Sequence, residues 1–118
     1  MLVVKRDPAP KDKRRELLLE KLHNIELPVI HFDETRFFDC VDFFRACSRE
    51  LDHFELDPIK KGVNFEVIGK ELENIVVHEL ILRNATMHAA IQAFAMQAGV
   101  HFEVGADVVK FFPIRKEG

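Results

Sequence analysis

A faint internal repeat at an offset of fifty residues constrains this chain more than any other feature. Phe32 aligns with Leu82, Phe37 with Met87, Cys40 with Ala90, Val41 with Ile91 and Phe44 with Phe94. In each half these positions trace a strand, a turn and a helix with the same apolar stripe. Neither half can bury its stripe alone, so the two must share one core. A length of 118 residues leaves room for a single domain. The expected fold class is α+β: two helices packed on small mixed β-sheets, with an amphipathic helix in front.

Residues 1–10 read as a flexible leader, and residues 11–118 as one α+β domain with an N-terminal helix over 11–24 and a core over 25–113. Leu18, Leu22 and Ile25 lie on one stripe of that first helix with Leu19 beside it, and docking on its own domain is the expectation. Pro28 favours an extended chain at Leu27, and 27–32 reads as a strand. The spacing then predicts a helix over 36–51, with Phe37, Cys40, Val41, Phe44, Cys47 and Leu51 on its buried face and Thr35, or else Asp33, as its N-cap. After a polar loop over 52–61, strands are expected over 62–68 and 75–82 around a turn at 69–74. Thr86 caps a helix over 87–98, striped by Met87, Ala90, Ile91, Phe94 and Ala98, and Gly99 ends it in the left-handed conformation. Strands over 100–104 and 108–113, joined at Gly105-Ala106-Asp107, form a hairpin.

These elements carry a family resemblance. Pro28-Val29-Ile30-His31-Phe32 followed by Phe37-x-Asp39-Cys40-Val41-x-Phe43-Phe44 has an echo in Leu80-x-Leu82-x-Asn84-Ala85-Thr86-Met87, and Lys61-Gly62-Val63-Asn64-Phe65 lies between them. Over roughly residues 22–113 the pattern resembles the short N-terminal domain shared by secretins and TonB-dependent receptors, in a divergent form found in repetitive bacterial envelope proteins. The resemblance implies two helices between small β-sheets and a role by contact rather than catalysis. In secretins such domains sit in the periplasm, assemble into rings and touch inner-membrane partners; in receptors they relay a signal to a membrane regulator. The chain departs from the pattern at Arg36, which stands where the second half has Thr86, and in showing neither a secretory signal nor a pore-forming segment. Periplasmic or envelope placement is therefore implied by resemblance alone, with a cytoplasmic adaptor or homo-oligomerisation domain as the alternative.

Composition narrows the remaining classes. The net charge of −3 argues against general nucleic-acid binding, although residues 1–21 carry seven Lys/Arg against four Asp/Glu. Eleven Phe with no Tyr or Trp suit a core better than a surface that reads sugars or bases. An RNA-binding sheet is disfavoured by Glu66 beside Phe65, and a phosphate-binding loop by the scatter of the five glycines, which leaves a small-ligand or RNA-binding α+β domain as a further alternative. No run of apolar residues is long enough for membrane insertion.

The candidate chemistry is thin. His23, His31, His53, His78, His88 and His101 show no metal-ligand spacing, and His78 and Glu79, adjacent on a strand, should face opposite ways. Cys40 and Cys47 lie about 10 Å apart along one helix, too far for a disulfide, and both are expected to be buried thiols, poorly placed as nucleophiles among Asp39 and Asp42. The carboxylate pairs Glu50/Asp52 and Glu55/Asp57 read as solvated surface. No catalytic, cofactor or metal residue is therefore assigned. The candidates for protein contact or self-association are the large apolar residues left over after packing: Phe38, off the first stripe; Ile81, turned away from Leu80 and Leu82; and Met96, opposite the second stripe.

Overall fold

In a computed structural model, which describes residues 10–53 and 55–114, the two halves meet in a long antiparallel ribbon. Strand β1 (Glu26–Arg36) pairs with β3 (Val76–Thr86), each of eleven residues, from Glu26 opposite Thr86 to Arg36 opposite Val76. The register sets His31 opposite Ile81, its own equivalent in the repeat, so a pseudo-twofold axis passes between them. Local details obey that axis. The Phe37 N–H donates to the Ile75 carbonyl at 2.9 Å, and the equivalent Met87 N–H donates to the Ile25 carbonyl at 2.8 Å. Glu34 and its equivalent Asn84 both take positive φ, 48° and 53°. At these two points, with Glu34 facing His78 and Asn84 facing Pro28, the ladder is interrupted and the inward-facing parity changes. Leu27, Ile30 and Phe32 therefore point inward in β1, and Val77, Leu80 and Leu82 do so in β3.

The helices α2 (Phe37–Glu50) and α3 (Met87–Ala98) lie between this ribbon and a second sheet. That sheet has the order β2-β5-β4, built from Phe65–Val67, Val109–Pro113 and Val100–Val104; β2 runs parallel to β5, and β4–β5 is the expected hairpin. Phenylalanines join the layers. Phe32 of the ribbon meets Phe44 and Phe94 of the helices at 5.6 and 6.1 Å between ring centres, and Phe111 of the sheet meets Phe37 and Phe94 at 5.6 and 5.5 Å. Edge-on packing of this kind adds to the area each ring removes from water. Leu18 and Leu22 of α1 (Lys11–Asn24) are buried, and α1 docks on α3 of its own chain.

Several expectations are corrected. The strands expected over 27–32 and 75–82 extend to Arg36 and Thr86, because pairing across the ribbon continues past the polar residues that break the alternation. The strand expected over 62–68 shrinks to three residues: Gly62 and Gly69, at φ 91° and 112°, turn the chain out of the ladder on either side. The turn at 69–74 is a short 3-10 helix, Lys70–Asn74. Neither Thr35 nor Asp33 caps α2. Arg36 holds the N-cap position and its side chain has no oxygen to accept with, while the Thr35 hydroxyl accepts from the Asp33 N–H at 3.2 Å. Thr86 caps α3 as expected, accepting from the Ala89 N–H at 3.1 Å, and Gly99 closes it at φ 71°. Ser48, rather than Cys47, completes the buried stripe of α2. Its hydroxyl accepts from the Val63 N–H and donates to the Arg45 carbonyl, both at 2.8 Å, which ties the loop after α2 back to the helix. The expected leader over 1–10 falls, but for Pro10, outside the described residues.

Candidate interaction surface

All three contact candidates are solvent-exposed: Phe38 at 37%, Ile81 at 50% and Met96 at 78%. They do not form one patch. Ile81 lies in a row on the outer face of the ribbon, where the cross-strand pairs are Val29–Arg83, His31–Ile81 and Asp33–Glu79. Val29 is 56% exposed, so the row offers two aliphatic side chains to solvent beside charged ends. Asp33 and Glu79 are like charges directly opposite each other, an arrangement that disfavours the pair, and no cation lies within 4.0 Å of either among the described residues. Phe38 instead sits at the end of the ribbon, where it lines a surface cavity of about 650 Å³ with Arg36, Asp39, Glu73, Asn74 and Val76. Met96 stands apart on α3. Leu56 and Ile59, in the loop after α2, are more exposed still, a feature hidden in the sequence because a loop has no periodicity to mark a side chain as unpacked.

Each strand of the ribbon has one neighbour only, so each keeps an outer edge free for pairing among the described residues. Proteins commonly guard such edges with proline, bulges or charge. Here Pro28 and the breaks at Glu34 and Asn84 do so. The central row is left as the least guarded part of the ribbon.

Cys40 is fully buried, and burial, helped by Asp39, pushes its thiol up to about 12. Cys47 is half-buried rather than buried as expected, because the stripe drifts onto Ser48; burial, and then Glu50, push its thiol up as well. A thiol held protonated is a poor nucleophile. Thiol reagents should therefore modify native protein slowly at Cys47 and much more slowly at Cys40, as mass spectrometry of timed labelling will check; rapid labelling of Cys40 would place α2 the wrong way round. No group of three or more His, Cys, Asp or Glu is set to hold a metal ion among the described residues.

Two ionic arrangements escaped the sequence. Asp52, expected at the surface, is only 3% exposed. Its carboxylate accepts from the Gly62 N–H at 3.0 Å and pairs with the Lys21 ammonium at 2.9 Å, clamping the loop to α1. His78, exposed like its neighbour Glu79, lies 3.1 Å from the Glu34 carboxylate across the break in the ladder. Neither arrangement has a local sequence signal, since the partners are more than thirty residues apart. No helix among the described residues is long and apolar enough to cross a membrane. Comparison with family models, with curated proteins and with solved structures finds no match for this chain.

Proposed function

We propose that this chain is a non-catalytic protein–protein interaction module, of the kind found at the N-terminus of secretins and TonB-dependent receptors, and that the β1–β3 ribbon is its contact surface. The observation that carries this reading is the outer row of the ribbon: exposed Val29 and Ile81, with Arg83 at one end and at the other the Asp33–Glu79 pair, which has no cation within 4.0 Å among the described residues. Apolar side chains beside uncompensated charge suit a protein partner that supplies cations next to its own apolar residues. The raised, enclosed Cys40 thiol supports a role by contact rather than nucleophilic chemistry. The partner is another protein or a second copy of the chain, and the proposed location is the bacterial periplasm or envelope, which cell fractionation tests.

Ile81→Glu checks the surface itself. Because Ile81 is half-exposed on a solvent face, the substitution should change folding stability by no more than about 0.5 kcal/mol. The same change should abolish the assembly formed by the wild-type protein, as read by its native mass in cell extract. An Ile81→Glu protein that is folded and assembles like wild type would remove the ribbon from the proposal.

A further inference from the structure

Where α1 ends and α3 begins, two histidines from opposite parts of the chain lie ring on ring. His23 and His88 have centroids 4.6 Å apart with 23° between their planes, and Phe102 of β4 stands edge-on to His88 at 5.9 Å. The Met87 N–H, donating to the Ile25 carbonyl, crosses the same seam. We propose that His23 and His88 are a proton-operated latch: it holds α1 against α3 while at most one ring is charged, and a second proton loosens the seam.

The repeat supplies an internal comparison. Fifty residues away, the equivalents of His23 and His88 are Glu73 and Phe38, in the seam between the 3-10 helix and α2. The duplicated fold thus places a phenylalanine where His88 stands, so packing at this position does not require a titrating ring. The two seams share their backbone hydrogen bond and differ in their response to protons.

His23 lies in the last turn of α1, and His88 is the second residue of α3, where the partial positive charge of the helix end disfavours a cation. The surroundings of His23 include Glu26 of β1 and His53 of the loop after α2, which line with it a cavity of about 510 Å³ together with Asn24 and Leu51. Burial first, and then His23, hold His88 below its ordinary value of 6.5. A histidine with a lowered value in the docked state contributes stability above about 6.5 that is lost as pH falls towards the lowered value. Arg14–Asp107 at 2.7 Å and Lys21–Asp52 at 2.9 Å pin the rest of α1, so the change is confined to the seam. Loosening it uncovers the flank of α3 that α1 covers.

Hydrogen exchange at the Ile25 and Met87 amides, followed by NMR at pH 7.5 and 5.0 and corrected for intrinsic rates, tests the latch. Wild-type protection at both amides should fall by about tenfold or more at the lower pH. His88→Phe, which copies Phe38, should keep its protection at pH 5.0, and so should His23→Gln, which serves if His88→Phe does not fold. Equal wild-type protection at the two pH values would overturn the proposal, as would the same acid loss in a folded variant.

Discussion

Phe94→Ala should destabilise the protein by about 3–5 kcal/mol, and Phe44→Ala by a similar amount. Both rings are fully buried, and the two are equivalents in the repeat. Phe94 touches Phe32, Phe37, Phe44 and Phe111, so its loss opens a void shared by the ribbon, both helices and the three-stranded sheet. A single domain is commonly stable by only about 5–15 kcal/mol, so either variant can lose half its margin. Phe38→Ala is the control. That ring is partly exposed and, among the described aromatic rings, meets Phe37 alone, at 6.1 Å, so about 1 kcal/mol or less is expected. Urea denaturation checks the set. If Phe38→Ala cost as much as Phe94→Ala, Phe38 would belong to the core and leave the list of contact residues.

The second large effect is expected at Asp52. Asp52→Ala leaves the Gly62 N–H without its acceptor and takes from Lys21 its closest carboxylate. Glu55, at 3.8 Å, and the carbonyls of Lys60 and Gly62 still face the Lys21 ammonium. The cost should therefore fall somewhat short of that for a fully stranded buried charge, at about 2–3 kcal/mol. Asp52→Asn keeps an acceptor for Gly62 and should lose about half as much. Gly62 itself has little freedom to adjust: its φ is 91°, and a Cβ there would meet the Cγ and backbone of Arg49. Loss in Asp52→Ala of less than about 0.5 kcal/mol, within the range of an ordinary surface change, would mean that the loop after α2 is not clamped to α1.

The helices and the pseudo-repeat were legible because large apolar side chains at helical spacing carry both. The stripe from Phe37 to Phe44 and its copy from Met87 to Phe94 needed only the α-helical period. Much of the repeat was nonetheless hidden. It reaches back to Leu22 and Leu72, both buried, and to Ile25 and Ile75, whose carbonyls anchor the two helices. It was obscured there because a fourteen-residue helix precedes one strand and a single 3-10 turn the other. The strand ends were lost for a related reason. The positive φ at Glu34 and Asn84 shifts the inward parity, so a search for strict alternation stops at Phe32 and Leu82. Long-range polar pairs such as Lys21–Asp52, and the His23–His88 stack, depend on the closed topology and leave no trace in local composition.

Of the surface candidates, the exposure of Phe38, Ile81 and Met96 followed correctly from their positions off the stripes, but their separation in space did not. Only the ribbon register places Ile81 beside His31, between Val29–Arg83 and Asp33–Glu79. That row is the basis of the contact role.

The most direct test of that role is a photo-crosslinking residue placed at position 81 in the protein made in its native cell, with position 103 on the exposed side of β4 as the control. The contact role predicts a discrete adduct of one partner, or of a second copy, at position 81 and none at 103. The absence of any adduct at 81 from folded protein at normal abundance, or equal adducts at both positions, would contradict it.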